Sequence, residues 1–290
     1  MMKNQIYTAL LAAFSFLILV FPSFAQEKFG GVSLYTVRNE MGKDPKGTLA
    51  KVAEIGYKNI ESADYRDGNF YGLTPEEFNK TLSDLGMSPL SAHMGSANLD
   101  NIDKHIADAK SAGFKYLVAP VPPMGLFKYD PATKSLSMSE DLDQLVSILK
   151  TMGEKCKAAG IEFLYHNHGF EFEKNSNGIV PIEYMLEKLV PSVVNFQIDL
   201  YWVAKAGADP VVYFKKYPGR FPIWHLKDMD AQGRFAPVGT GSIDFKKIQK
   251  QMKKAGMKYY LVEQDQTFDG MEPLEAIRIS HGNLKKFGFN

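Results

Sequence analysis

The sequence predicts a single (β/α)₈ barrel, and three observations lead to this prediction. Short apolar segments alternate with longer amphipathic segments along the chain, as in proteins built from parallel βα units. Five predicted helices end in a glycine that directly precedes the next strand, and glycine at that position closes a helix in the left-handed conformation. The chain beyond residue 25 has about 265 residues, close to the ~250 residues typical of this barrel.

The predicted elements alternate from one end of the chain to the other. The predicted strands cover residues 31–37, 59–62, 89–93, 116–119, 161–166, 195–200, 223–226 and 259–263. The predicted helices cover residues 47–55, 99–112, 141–159, 182–189, 210–214, 244–255 and 273–286, together with a helix that begins near Thr74. A long loop is expected between residues 119 and 141. An open, doubly wound sheet is the main alternative, but no Gly-x-Gly-x-x-Gly motif follows the first strand.

The first 25 residues predict a secretory signal peptide that is cleaved before Gln26. Lys3 precedes an apolar run without charges, and Ser23 and Ala25 place small residues at the −3 and −1 positions. The alternative is an uncleaved membrane anchor, for which the run is short. We therefore expect an exported, periplasmic protein whose mature chain, residues 26–290, forms one domain without stable membrane insertion.

The composition excludes several classes of protein. The chain carries 34 Lys and Arg residues against 33 Asp and Glu residues, so neither a nucleic-acid partner nor binding to an anionic membrane surface is expected. Its only cysteine, Cys156, leaves no disulfide within the chain and is expected in the core.

Ionisable residues collect at the carboxyl ends of the predicted strands, where the active sites of (β/α)₈ barrels lie. Four of the six histidines lie there, whereas His105 and His281 lie on predicted helices and are expected to face solvent. A network of salt bridges without a metal is one explanation, but the convergence of so many histidines and acids on one rim favours a functional site. These strand-end residues are Glu61, His93, His166, His168, Asp199, His225, Lys227 and Glu263.

The mixture of nitrogen and oxygen ligands at this rim predicts a metal site. Two histidines and two carboxylates suit Mn²⁺, Zn²⁺, Co²⁺ or Fe²⁺, whereas purely oxygen-bearing sites favour Mg²⁺ or Ca²⁺. Strand alternation places His166 and His168 on one face, and likewise His225 and Lys227. We expect one divalent metal ion (Mn, Zn, Co, Fe or Mg), whose identity the sequence leaves open.

Five short motifs lie at or near these strand ends: residues 33–38 (SLYTVR), 165–172 (YHNHGFEF), 197–199 (QID), 224–228 (WHLKD) and 262–264 (VEQ). Together they resemble the sugar isomerase and epimerase superfamily with the xylose isomerase-like barrel. Its members include tagatose epimerases, inosose dehydratases, and enzymes that act on 3-keto-sugars or cleave C-glycosides. The resemblance covers nearly all of the mature chain and is specific for the superfamily, but it does not identify the reaction.

The resemblance implies a set of metal ligands. Members of the superfamily bind the ion with a glutamate, an aspartate, a histidine and a second glutamate, and the last three correspond to Asp199, His225 and Glu263. The first position corresponds to His166, which is implied either as the fourth ligand or as a base. A histidine there breaks the pair of glutamates that transfers protons in the epimerases, and it resembles the inosose dehydratases. Elimination, or proton transfer between unlike groups, is therefore expected rather than simple epimerisation.

The resemblance also implies the chemistry and the residues that perform it. The expected reaction is proton abstraction next to a carbonyl of an unphosphorylated sugar, keto-sugar, glycoside or inositol derivative. The apurinic-site endonucleases of the superfamily are excluded because Trp202 and Phe235 stand where further metal ligands are expected. The implied catalytic residues are His168, Glu263 and Lys227, and the implied substrate-binding residues are Glu61, His93, Tyr35 and Trp202.

Two matters stay open at this point. A catalytically silent, periplasmic carbohydrate-binding barrel is the alternative function, although the apparently complete ligand set favours an enzyme. The sequence also gives no oligomeric state.

Overall fold

The predicted barrel is confirmed by the computed structural model, which describes residues 30–132 and 135–289. Its eight parallel strands are β1 (Gly30–Ser33), β2 (Asn59–Ser62), β3 (Ser88–His93), β4 (Tyr116–Ala119), β5 (Glu162–His166), β6 (Asn195–Asp199), β7 (Ile223–Leu226) and β8 (Tyr259–Val262). Each strand pairs with its neighbour in this series, and β1 closes the ring by pairing with β8. The predicted signal peptide, residues 1–25, lies outside the described residues.

Helices follow the strands, as the alternation of the sequence requires. They are Arg38–Lys43, Pro45–Ile55, Pro75–Asp84, Ile102–Ser111, Leu142–Ala158, Pro181–Lys188, Leu200–Lys205, Pro210–Lys216, Phe245–Gln249, Met252–Ala255 and Pro273–Leu284, with 3₁₀ turns at Phe170–Phe172 and Lys285–Phe287. Thr74 caps its helix as expected, because its hydroxyl accepts from the amide of Glu77 while the Glu77 carboxylate accepts from the amide of Thr74. In the described part of the chain, no helix has both the length and the apolar character needed to cross a membrane.

The glycines that end the helices have the predicted conformation. Positive φ angles, between 68° and 113°, occur at Gly56, Gly86, Gly113, Gly160 and Gly256. A side chain would strain the backbone at these positions, so the repeated glycine marks the end of each helix before the next strand begins.

Two stretches differ from the predicted elements. The first strand ends at Ser33, because residues 34–37 form a turn, and Tyr35 therefore lies beyond the strand end. The expected long loop after β4 contains an antiparallel hairpin, in which Phe127–Asp130 pairs with Ser135–Met138. The hairpin is too short for its alternation to be distinguished from an irregular loop in the sequence.

The core has two apolar layers, one inside the barrel and one between the strands and the helices. The larger, outer layer includes Trp224 stacked on Phe214, with ring centroids 4.8 Å apart, and it contains the fully buried Cys156 as expected. Together the layers fix the strands that carry the rim residues. The inner layer consists of Leu90, Tyr116, Val118, Leu164, Ile223 and Leu261.

The expected exposure of His105 is wrong. The residue is buried, and its ring nitrogens lie 3.1 Å from Oγ of Ser96 and 3.0 Å from the carbonyl oxygen of Asn101. Both nitrogens therefore have local partners, which explains how a histidine on a helix is accommodated in the core.

Candidate active site

Most of the predicted site residues meet at the carboxyl end of the barrel. His93, His166 and Asp199 are the last residues of β3, β5 and β6. The strand register holds their neighbours at the same height, because His166 pairs with Gln197 and Asp199 pairs with His225. Residues far apart in the sequence are thus brought together by the parallel pairing alone.

The four predicted metal ligands surround a common space. Nε2 of His166 lies 3.8 Å from Oδ2 of Asp199. Nδ1 of His225 lies 3.9 Å from the same oxygen and 3.0 Å from Oε2 of Glu263. An ion about 2.0–2.2 Å from each ligand atom spans separations of this size. All four residues are buried, and Oδ2 of Asp199 and Oε2 of Glu263 both also contact Nζ of Lys227.

Among the described residues, two groups of ligand atoms are compact enough to hold an ion. They are His93 with His166 and His225, and Glu61 with His225 and Glu263. The three-histidine group is disfavoured because Nε2 of His93 and Nδ1 of His166 are both hydrogen-bonded to Oε1 of Gln197, at 2.6 Å and 2.9 Å. The Glu61 group is disfavoured because this carboxylate already has neighbours of its own, described below. The predicted set of four is not itself one of these compact groups, but each group contains two of its members, and the set stays a prediction.

Lys227 is surrounded by carboxylates. Its Nζ lies 2.9 Å from Oδ2 of Asp199 and 2.6 Å from Oδ1 of Asp265, and it also contacts Glu263. Burial alone would lower the pKa of Lys227, but these three carboxylates raise it well above its ordinary value. An ammonium held in this way is suited to fixing the carboxylates in place, which differs from the proton-donating role implied for Lys227 by the resemblance.

The buried cluster carries an excess of negative charge. Its four carboxylates belong to Glu61, Asp199, Glu263 and Asp265, and Lys227 is the lysine that faces them. Burial alone would lower the pKa of His225, but Glu61 and Glu263 raise it to about 10. Even with this imidazole charged, negative charges outnumber positive ones, and uncompensated buried charge is costly. The donor set therefore fits a divalent cation.

Glu61 occupies a different position from that expected of a substrate-binding residue. Its side chain is completely buried, and one carboxylate oxygen accepts from Oγ of Ser91 at 2.7 Å. The other oxygen lies 2.8 Å from Nε2 of His225 and 3.2 Å from Nε2 of His93. Burial alone would raise the pKa of Glu61, but these two imidazoles lower it well below its ordinary value. Glu61 is therefore an ionised group beneath the site, enclosed by protein partners.

Gln197 is a site residue that sequence reasoning did not single out. It is fully buried, and its amide bridges Glu61, His93 and His166. The available signal was that Gln197 shares the inward face of β6 with Asp199, two residues further on. A neutral glutamine carries no sign of catalysis by itself, so only the contacts reveal its place.

His168 lines the cavity of the site. Its backbone is held by Glu171, a second residue that the sequence did not indicate. The amide of His168 donates to Oε2 of Glu171 at 2.9 Å, and the hydroxyl of Tyr165 donates to the other carboxylate oxygen at 2.8 Å. Burial, reinforced by Lys227, lowers the pKa of His168 to about 3, so its imidazole is uncharged at neutral pH. Its Nδ1 has no hydrogen-bond partner within the described residues. Trp202 lies against this ring, with centroids 5.5 Å apart.

A cavity of about 270 Å³ opens onto these groups, and its two sides differ. The strands β1 to β4 supply a side that is mostly small or apolar: Tyr35, Ala63, His93, Gly95, Pro120 and Val121. The strands β5, β7 and β8 supply an ionisable side: His166, His168, Lys227, Glu263 and Asp265. Because the strand order is closed, these two sets come from opposite halves of the barrel. Trp202 and Glu61 are not part of this lining.

The loop after β7 resembles a phosphate-binding loop but binds a side chain of the protein instead. Oδ2 of Asp228 accepts from the amides of Gly239 and Gly241, each at 2.9 Å. Its Oδ1 accepts from the amides of Met229 and Ile243, at 2.8 Å and 3.1 Å. These amides, in the part of a (β/α)₈ barrel that often binds phosphate, are therefore already occupied by a carboxylate.

Comparison with known proteins agrees with the fold. A family model described as a xylose isomerase-like TIM barrel matches residues 49–286. The chain therefore belongs to the xylose isomerase-like TIM barrel family, as the motifs predict.

Several relatives indicate the kinds of protein that share this barrel. A sugar phosphate isomerase/epimerase from Parabacteroides distasonis ATCC 8503 superposes with a TM-score of 0.77 and 25% identity, covering 92% of this chain and 96% of that one. The IOLI protein, solved with a zinc atom, shares the fold at a TM-score of 0.67 and 14% identity, covering 90% and 97% of the two chains.

Curated relatives match a shorter stretch. An inosose dehydratase from Lacticaseibacillus casei is 23% identical over 155 residues, which are 47% of this chain and 51% of that protein. The chain thus spans about half the length of the curated relatives it matches. Taken together, the relatives named here place the chain among barrels named for sugar isomerisation, epimerisation and dehydration.

Proposed function

We propose that the protein is a divalent-metal-dependent carbohydrate enzyme that removes a proton from a carbon next to a carbonyl group. The observation that carries this proposal is the two-sided cavity, in which a buried set of imidazoles and carboxylates faces a mostly apolar wall. The ionisable side supplies groups for proton transfer and for binding polar oxygens, and the apolar side suits the faces and edges of a sugar ring.

The ion would be held by His166, Asp199, His225 and Glu263. When bound, a divalent ion at this place would polarise a carbonyl group and stabilise the negative charge that develops on its oxygen. Lys227 keeps Asp199 and Glu263 oriented toward the same space, so the carboxylates are arranged before a ligand arrives. The zinc atom in the structure of the IOLI protein, which shares this fold, supports the assignment of a metal.

His168 is the best candidate for the base. It lines the cavity, its Nδ1 is without a partner within the described residues, and its backbone is fixed by Glu171. Glu263 is the second candidate, although it also contacts His225 and Lys227. A proton taken by His168 could be returned on the same side of the substrate, either to a neighbouring carbon or to a leaving oxygen.

This arrangement favours elimination or isomerisation over simple epimerisation. Epimerisation needs a proton-transfer group on each face of the substrate. Here the first half of the barrel contributes His93 and Tyr35 as the ionisable residues of the cavity wall, and Nε2 of His93 is hydrogen-bonded to Gln197. The inosose dehydratase named above, about half of whose length matches this chain, also supports elimination.

The substrate we propose is an unphosphorylated sugar, keto-sugar, glycoside or inositol derivative. Asp228 fills the amides of the loop after β7. Lys227, the one lysine or arginine among the residues that line the cavity, is engaged by three carboxylates. Neither group is therefore available for a phosphate. The secretory signal expected from the first 25 residues supports the same choice, since an exported enzyme would rarely encounter sugar phosphates.

Exchange with deuterium tests the proposal directly. The purified protein would be loaded with Co²⁺, Mn²⁺ or Zn²⁺ and incubated with 3-keto-glycosides and keto-inositols in D₂O. Deuterium should appear next to the carbonyl, or an elimination product should accumulate. If none of these compounds exchanges or eliminates while sugars still bind, a carbohydrate-binding barrel without catalysis becomes the better explanation.

A further inference from the structure

Beneath the cavity, two buried residues contact the imidazoles of the site without lining the cavity themselves. Glu61 and Gln197 are both fully buried, and Nε2 of Gln197 donates to Oε2 of Glu61 at 2.6 Å. Between them they contact His93, His166 and His225. Neither residue takes part in the proposed chemistry. What they share is contact with the imidazoles of the site.

The orientation of the Gln197 amide follows from its neighbours. An ionised carboxylate only accepts hydrogen bonds, so the group of Gln197 that faces Glu61 is the NH₂ group. The amide oxygen must then face the other way, toward Nε2 of His93 and Nδ1 of His166, at 2.6 Å and 2.9 Å. A carbonyl oxygen also only accepts, so both of these ring nitrogens carry a hydrogen.

For His166 this fixes which nitrogen faces the site. The hydrogen that Gln197 holds on Nδ1 leaves Nε2 as the ring nitrogen that faces the site, 3.8 Å from Oδ2 of Asp199. This nitrogen and a carboxylate oxygen therefore face the same space, where both could bind a cation.

Glu61 stands in the corresponding place behind His225. Nε2 of His225 lies 2.8 Å from Oε1 of Glu61 without a well-aligned hydrogen bond, while Nδ1, on the other side of the ring, is hydrogen-bonded to Oε2 of Glu263 at 3.0 Å. With a carboxylate on each side, an ion that replaces the hydrogen on Nδ1 would leave the remaining hydrogen on Nε2, facing Glu61, as in the carboxylate–histidine pairs of metal sites.

We propose that Glu61 and Gln197 are positioning residues that determine which nitrogen of His225 and of His166 faces the metal space. Gln197 directs Nε2 of His166 into the site, and Glu61 directs Nδ1 of His225 into it. The hydrogen bond between Glu61 and Gln197 couples the two orientations. The part of this inference that concerns the ion rests on the proposed function, whereas the ring orientations are properties of the protein alone.

Nuclear magnetic resonance of the wild-type protein tests the orientations without any activity or metal. Long-range ¹H–¹⁵N correlation spectra distinguish a protonated ring nitrogen from an unprotonated one. In the metal-free protein, His166 should carry its hydrogen on Nδ1. In the zinc-loaded protein, His225 should carry its hydrogen on Nε2. A hydrogen on Nε2 of His166 would overturn the role assigned to Gln197.

Variants test the consequence for metal binding. Gln197→Met removes both hydrogen bonds to the imidazoles while keeping the volume, and Glu61→Gln removes the charge behind His225. Each should weaken Co²⁺ binding, measured by calorimetry, by about 10–100-fold, the usual effect of losing such a partner. Each should also change the visible absorption spectrum of bound Co²⁺. Thermal unfolding of the metal-free variants reports whether they fold.

Ser91→Ala is the matched control, because Oγ of Ser91 donates to the same Oε2 of Glu61 and, within the described residues, is not hydrogen-bonded to any of the three imidazoles. It should keep the wild-type Co²⁺ affinity and spectrum. If folded Gln197→Met and Glu61→Gln bind Co²⁺ exactly as the wild type does, the positioning role is wrong. If the wild type itself binds no Co²⁺, the proposed function fails, while the nuclear magnetic resonance result still decides the ring orientations.

Discussion

The two halves of the barrel contribute differently to the rim. The first four strands give the cavity a wall of small or apolar side chains together with His93, whereas the last four give it nearly all of its charge. Lys227 and His225 of the second half link Asp199 and Glu263, together with Glu61 from β2 of the first half, into one buried network. The comparison indicates that the first half mainly shapes the cavity, whereas the second half supplies most of the groups that could bind an ion or transfer a proton. Each prediction below tests that division.

The largest effect is expected from His225→Ala. The substitution removes a predicted ligand and leaves Glu61 and Glu263 without the imidazole between them. The variant should lose stoichiometric metal after dialysis, measured by plasma mass spectrometry, and all detectable activity. His93→Ala is the control from the first half and should retain its metal. Equal loss from the two variants would contradict the division between the halves.

His168→Ala should reduce the rate of proton exchange strongly. Loss of a general base costs about 10²–10⁴-fold, while the remaining cavity wall should still bind substrate. We therefore expect kcat to fall by this factor with little change in KM, measured by deuterium incorporation. A rise in KM with an unchanged kcat would instead make His168 a substrate-binding residue.

Lys227→Met should destabilise the metal-free protein. Removing one partner of a buried charged network costs about 3–5 kcal/mol, because the other charges are left uncompensated. Urea unfolding measures the change. Lys247→Met removes an exposed ion pair with Asp209 and should change the free energy of unfolding much less, because solvent screens that pair. If the free energy of unfolding falls as little for Lys227→Met as for Lys247→Met, the buried carboxylates do not depend on the Lys227 ammonium for their stability.

The smallest effect is expected on the apolar side. Tyr35 lines the cavity, is 39% exposed and stacks with the guanidinium of Arg38 at 4.2 Å. Tyr35→Ala should raise KM by about 3–10-fold through lost ring contact, with kcat nearly unchanged. Steady-state kinetics separates the two constants. A fall in kcat comparable to that of His168→Ala would extend the chemistry to the first half.

Much of this architecture could be predicted from the sequence. The eight strands follow from alternation and from the helix-ending glycines, because both reflect local backbone physics. The strand-end histidines and acids follow from the rule that parallel strands expose their carboxyl ends at one rim. These signals are carried by residue type and spacing alone.

The parts that were not predicted depend on side-chain neighbours. Glu61 was expected to bind substrate, but a strand-end position does not reveal that the carboxylate is enclosed by Ser91, His93 and His225. Gln197 was identified in the sequence only as part of the motif at residues 197–199. His105 was expected at the surface, because helix periodicity does not show the local partners that allow a histidine to be buried.

The hydrogen bonds of the Asp228 carboxylate should limit the movement of the loop after β7. Because its carboxylate binds the amides of Gly239 and Gly241, the loop after β7 is organised by the chain itself. A side chain at Gly241 would come within 2.4 Å of this carboxylate, so the fit is close. Some segments that contact phosphate become ordered only when it is bound. Here the same order is built in, and hydrogen exchange in this loop should be equally slow whether the cavity is empty or filled.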